Sequence, residues 1–196
     1  MTTMASTLAP PIAMPPGSCS AEEQRMKDAV ACICQSRFES FKAIAQESLP
    51  VLIQKDTHSK TLLHFAAEVG RYDFVCYIVE SLRSSDMARA LPDVLNAPSK
   101  LGFTAMMLAA EQGNEEIVEY LLREGARFEI TSIDGKNALD LAAHAGYASL
   151  ADLLIRNGAR INDSRTFRQV YLAPLRGSSS KTLQLEVKPE STACSK

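Results

Sequence analysis

Six glycines divide the second half of this chain into two copies of one pattern. The second trio follows the first by 33 residues: Gly102, Gly113 and Gly125, then Gly135, Gly146 and Gly158. Aligning residues 102–127 with 135–160 gives 11 identities in 26 positions, where average residue frequencies give roughly two by chance. A fixed period of this length is typical of repeat proteins, whose units bury their apolar faces only against one another.

An earlier copy of the pattern begins 43 residues upstream. Thr61 and Gly70 align with Thr104 and Gly113, and the extra length falls in an insert at 84–92. The insert carries a short helical pattern in Met87, Ala88 and Leu91, which predicts a projection from one edge of the array. Such an insert is either a partner contact or a passive loop extension.

Each copy is predicted to contain two helices, a turn and an extended finger. In the second copy Thr104 is placed to cap the first helix, and Gly113 to end it in a left-handed conformation. Residues 117, 118, 121 and 122 form the apolar stripe of the second helix. Asp134 and Gly135 are a tight-turn pair, which predicts a β-hairpin finger.

Three segments resemble the T-P-L-H-x-A-A-x-x-G signature of ankyrin repeats: TLLHFAAEVG, TAMMLAAEQG and NALDLAAHAG. The resemblance covers about residues 56–161. It implies an all-α ankyrin-repeat solenoid of helix-turn-helix units with β-hairpin fingers. It also implies a protein-binding module without catalytic activity.

The chain departs from that signature at the helix starts. The proline is replaced in all three copies, and the histidine survives only as His64; Met107 and Asp140 take its place in the later copies, and Asn137 replaces the third threonine. We therefore expect copies two and three to lack the Thr–His hydrogen bond and to be less stable. The apolar and glycine framework is intact, so the fold is not at risk.

The flanking segments complete a seven-part organisation. Ser20 and Glu23 form a capping-box pattern, which predicts the start of a helix. We expect this helix to begin a degenerate repeat that caps the stack. The alternative is an amphipathic helix presented to a partner. The predicted parts are a disordered leader 1–19, an N-terminal cap 20–55, repeats 56–95, 96–128 and 129–161, a C-terminal cap or finger 162–175 and a disordered tail 176–196.

Composition excludes several classes of function. The 21 Lys and Arg nearly balance 23 Asp and Glu, with pI about 6.0, which disfavours an RNA-binding role. No apolar run approaches the length of a membrane span. Five cysteines without a C-x-x-C pair indicate reduced thiols and a cytoplasmic or nuclear protein.

Catalytic and phosphate-binding motifs are missing from the sequence, and no metal-ligand spacing occurs. A Cys76–His64 nucleophile pair is the only enzymatic alternative, and both residues fall at framework positions of the repeat. We predict no enzyme activity, no cofactor and no metal.

The predicted binding surface combines the ends of the inner helices with the fingers. Tyr72 and Tyr147 are either anchors or ordinary exposed tyrosines. Arg127 and Arg160 recur at one finger position. They indicate either a site for an acidic or phosphorylated partner segment or a row of solvated charges whose stems cover neighbouring apolar atoms. The candidate partner-binding residues are Glu68, Tyr72, Glu111, Gln112, Arg127, Phe128, Ile130, Ile133, His144, Tyr147 and Arg160.

The sequence thus predicts an adaptor, scaffold or regulator that is monomeric by itself and holds a partner segment on its concave face and fingers. The alternative is a regulatory or assembly subunit that is stable mainly when bound, because three divergent repeats are near the minimum for independent folding.

Overall fold

The computed structural model describes residues 21–160, which form paired helices and contain no β-strand. The predictions for 1–19, 162–175 and 176–196 lie outside these residues. Two short 3₁₀ turns occur at Leu49–Leu52 and Ala88–Ala90. The helices are α1 (Ala21–Cys34), α2 (Phe38–Glu47), α3 (Leu62–Val69), α4 (Tyr72–Ser84), α5 (Leu91–Leu95), α6 (Ala105–Glu111), α7 (Glu115–Arg123), α8 (Ala138–Ala145) and α9 (Ala148–Arg156).

The helices form two layers around one core. The inner helices α1, α3, α6 and α8 pack side by side, and α2, α4, α7 and α9 lie behind them as an outer layer. Paired alanines, such as Ala109 and Ala110, are fully buried between inner helices, where small side chains permit close approach. The predicted solenoid of helical repeats is confirmed.

The first helix pair turns in the same way as the repeats. Ser36 has φ of 58°, and its N–H donates to Ile33 O while the N–H of Arg37 donates to Cys32 O. Gly70 makes the equivalent turn between α3 and α4 with φ of 76°. The turn between α1 and α2 therefore has the same hydrogen-bond pattern as the turn between α3 and α4, although the first pair lacks the signature.

The fingers are turns rather than the β-hairpins expected from the sequence. In the third finger the Ser132 N–H donates to Lys136 O at 2.8 Å, and in the second the Ser99 N–H donates to Phe103 O at 2.9 Å. The residue after each turn is already the cap of the next helix, Thr104 or Asn137. The returning strand is therefore too short for a ladder of successive pairs.

The start of α3 is closed by a buried imidazole. The Thr61 N–H donates to His64 Nδ1 at 3.1 Å, so Nε2 carries the proton and faces the carbonyls of Ala97 and Phe103 at 3.0 and 3.1 Å. Burial lowers the pKa of His64 below 6.5, outweighing the opposite effect of these two carbonyls. The neutral ring links α3 to the next finger.

The start of α8 is closed by different side chains in the same geometry. The Asp140 N–H donates to Asn137 Oδ1 at 2.9 Å, and the Asn137 N–H donates to Asp140 Oδ2 at 3.1 Å. Asn137 Nδ2 also donates to Arg160 O at 2.7 Å. Only α6 has the reduced capping that we expected, because Thr104 Oγ1 accepts one bond, from Met107 N–H at 3.3 Å.

The insert packs against the core instead of projecting from it. Met87 and Leu91 lie partly buried on the core, and Val94 and Leu95 of α5 are buried. Two of the three apolar positions that predicted a short helix, Met87 and Leu91, thus attach the insert to the core, whereas Ala88 is exposed.

Replacing Asn137 with Ala removes the cap acceptor of α8 and the bond to Arg160. We expect Asn137→Ala to lower the free energy of unfolding by about 1–2 kcal/mol, measured by urea denaturation. The control is Glu129→Ala, an exposed change expected to stay within about 0.5 kcal/mol. A cap variant as stable as this control would contradict the role given to Asn137.

The lowered pKa of His64 predicts a pH dependence of stability. Below pH 6.5 the unfolded chain protonates this ring before the folded chain does, so stability is lost as pH falls toward the folded pKa. We expect the unfolding free energy, measured by urea denaturation, to decrease between neutral and mildly acid pH. The decrease should be larger in the natural chain than in the His64→Gln variant. Parallel pH profiles for the two chains would exclude His64 as the cause.

Candidate protein-binding surface

The tips of the second and third fingers carry two exposed apolar side chains. Leu101 is 64% exposed and Ile133 is 73% exposed. The Ile133 N–H donates to Leu101 O at 3.1 Å, so the two tips are linked through their backbones. Sequence reasoning selected Ile133 and missed Leu101, although an apolar residue directly before Gly102 in a turn is an unusual signal.

The base of the third finger is packed rather than exposed. Phe128 and Ile130 lie partly buried against the core. The Phe128 ring is 3.8 Å from the position that a Cβ on Gly158 would take, which places it against the end of the last repeat. Of the three apolar residues selected in this finger, only Ile133 is directed to solvent.

Arg127 and Arg160 occupy equivalent positions, where the backbone of each is hydrogen-bonded and the side chain of each is exposed. The Arg127 N–H donates to Asn96 Oδ1 at 2.7 Å, and Arg160 O accepts the amide of Asn137. Among residues 21–160 neither guanidinium is in an ion pair. By contrast, Arg123 lies 3.8 Å from Glu119.

The selected residues at the inner-helix ends form a second exposed row. Glu111, Gln112 and His144 are exposed at the carboxyl ends of α6 and α8. Glu68 on α3 is half-buried and accepts from Lys60 Nζ at 2.7 Å. Its charge is therefore compensated within the repeat.

The two selected tyrosines also have structural contacts. Tyr72 begins α4 and meets Tyr120 edge-on, with ring centroids 5.8 Å apart. The Tyr147 ring lies over Gly113, since a Cβ built there would be 2.5 Å from it. Each tyrosine is somewhat more than one-third exposed, so each combines a packing role with accessible surface.

Cys76 and His64 have different surroundings. Cys76 is on α4 of the outer layer, while His64 on α3 of the inner layer is hydrogen-bonded to Thr61 and to the next finger. Burial raises the pKa of the Cys76 thiol, which disfavours the thiolate that a nucleophile requires. The geometry gives no support to the nucleophile pair.

Comparison with known proteins shows which family part of this chain is similar to. A family model described as "Ankyrin repeats (3 copies)" matches residues 83–165. This part of the chain is therefore similar to ankyrin repeats, in agreement with the signature segments. Ankyrin repeats are generally non-catalytic modules for protein–protein interaction.

Two curated relatives carry the same repeats. "Ankyrin repeat and SAM domain-containing protein 6" is 32% identical in Rattus norvegicus and 35% identical in Mus musculus, in each case over 117 residues or 60% of this chain. The match spans 12% of the length of these relatives.

Membrane-spanning helices and metal-binding clusters are both absent from residues 21–160. None of their helices has both the length and the apolar character that crossing a bilayer requires. The same residues include no group of three or more His, Cys, Asp and Glu side chains placed to hold a metal ion.

The contact between Tyr147 and Gly113 can be tested by a double-mutant cycle. Gly113 and Gly146 have φ of 74° and 85°, so alanine at either position costs roughly 1–2 kcal/mol. We expect Gly113→Ala to cost more, because only its Cβ meets Tyr147. Urea denaturation measures the difference between the two losses of unfolding free energy, and this difference should disappear in a chain that also carries Tyr147→Ala. Equal losses for the two glycine substitutions in the natural background would disprove the contact.

Proposed function

We propose that this chain is an adaptor that holds an acidic or phosphorylated segment of a partner protein on its C-terminal fingers. The observation that carries the proposal is the exposed pair Leu101 and Ile133 in a finger row that also bears Arg127. Arginine is enriched among the residues that dominate binding energy in protein interfaces, and exposed apolar side chains contribute by being removed from water.

Charge supports an anionic ligand at this end. Residues 152–196 contain eight Lys and Arg against four Asp and Glu, so their formal charge is +4 within a chain of net charge −2. Arg127 and Arg160 have no acidic partner among the described residues. Guanidinium groups bind carboxylates and phosphates through paired hydrogen bonds.

The exposed ends of the inner helices extend this surface across the concave face. Glu111, Gln112 and His144 are exposed there and have no core function. In this proposal they contribute specificity, because polar groups that meet the wrong partner are left unpaired on desolvation. The apolar finger tips supply most of the affinity.

Helices α1 and α2 act in this proposal as the N-terminal cap of the array. Met26, Ala29 and Ile33 of α1 are buried against the inner layer, while its opposite face is exposed. This arrangement supports a cap more than an amphipathic helix offered to a partner, because the apolar stripe is already covered. A polar outer face is what a terminal repeat needs.

The test is quantitative affinity purification of the tagged full chain from cells that express it. We expect a co-purifying protein to fall about tenfold or more with Arg127→Glu plus Arg160→Glu, and likewise with Leu101→Ser plus Ile133→Ser. Raising the salt concentration should release the same protein, because exposed ion pairs are screened.

The matched control is Arg37→Glu plus Arg89→Glu, which makes the same change in net charge at exposed sites, one directly before α2 and one in the insert. Circular dichroism establishes that each variant is folded. Retention of the partner by both finger variants, or equal loss with the control, would overturn the proposed finger site.

A further inference from the structure

A groove lies at the N-terminal end of the array, away from the C-terminal fingers. It has a volume of about 340 Å³, which is within the range of small ligand sites. Its floor is apolar and is formed by Met26 and Val30 of α1 and Phe65 of α3. The loop at 54–57 forms the opposite wall.

The groove exists because α1 is longer than the other inner helices. Helix α1 has 14 residues and α3 has eight, and both end at the same type of turn. The additional residues therefore extend α1 by about two turns at its amino end. These turns contain Glu23, Met26 and Lys27, which line the groove together with the loop at 54–57.

The rim of the groove is electrically balanced. Glu23 and Asp56 contribute two acidic groups, and Lys27 and Lys55 contribute two basic ones. A strongly charged ligand gains no net attraction from such a rim. An uncharged apolar segment fits it better, because it buries the floor without repulsion from either sign.

We propose that residues 8–14 of this chain occupy the groove as an intramolecular ligand. This segment, LAPPIAM, offers Leu8, Ile12 and Met14 as apolar side chains. Residues 1–21 contain no charged side chain, in agreement with the balanced rim. The prolines favour an extended polyproline conformation, which leaves side chains free to enter a groove.

The connection is short enough to make this contact efficient. Six residues separate Met14 from Ala21, where α1 begins two residues before Glu23 of the groove. Pro16 followed by Gly17 is a residue pair that favours the central positions of a type II turn, which would reverse the chain toward α1. A short tether gives an effective concentration on the order of millimolar, so even a weak contact is populated.

The test is methyl NMR of the full chain with labelled Met, Leu, Ile and Val. We expect nuclear Overhauser contacts between Met14 or Ile12 and the methyl groups of Met26 and Val30. In Ile12→Asp plus Met14→Asp these contacts should vanish and the Met26 and Val30 methyl resonances should shift. Missing contacts in the natural chain, with groove resonances unaffected by the double variant, would overturn the proposal.

Two controls distinguish the other possible occupants. Thr2→Asp plus Thr3→Asp adds the same charge outside the segment and should leave the groove resonances in place. If Leu183→Asp plus Leu185→Asp moves them instead, the occupant is the C-terminal segment. If they move on a roughly tenfold dilution, it is a second copy of the chain. Either of these results refutes residues 8–14 as the ligand.

Discussion

Close stacking of the inner helices is the constraint on which the rest of the structure depends. It requires small side chains between neighbouring helices, and the fully buried pairs Ala66–Ala67 and Ala109–Ala110 meet that requirement. Once these helices are parallel neighbours, the turns that precede them must also lie side by side. The backbone bonds from Ile133 to Leu101 and from Lys100 to His58 are the consequence, and they create a continuous row of finger tips.

Capping at the junction between finger and inner helix follows from geometry more than from residue identity. His64 and Asn137 differ in chemistry, yet each joins its own helix start to backbone carbonyls further along the chain. The carboxylate of Asp140 replaces the ring nitrogen that accepts the cap N–H in the first repeat. In the third repeat, loss of the signature histidine therefore did not mean loss of its hydrogen bonds, because Asn137 and Asp140 satisfy the helix start; at α6 the bond to the cap N–H was not replaced.

The repeat period was sufficient to predict the helix pairs and their two layers, since both depend on spacing alone. It was not sufficient for the fingers, because Asp134–Gly135 indicates a turn without showing how many residues remain before the cap at Asn137. The Phe128 ring lies against Gly158 of the last repeat, and Ile133 is held through its N–H by Leu101 O of the preceding finger. The stacking of Tyr147 on Gly113 likewise joins residues of different repeats, which one copy of the pattern cannot reveal.

The structure separates positions that maintain the fold from positions left free for binding. The core is complete without the side chains of Leu101, Ile133 and Arg127, since all three are exposed and only their backbones join the hydrogen-bond network. Exposure of large apolar groups at such positions has no structural benefit, and in water it favours association with another surface. Tyr72 and Tyr147 differ, because each supports a neighbouring repeat. A loss of binding after their substitution would therefore combine effects on recognition and on packing, whereas substitutions of the exposed Leu101 and Ile133 side chains leave the core packing unchanged.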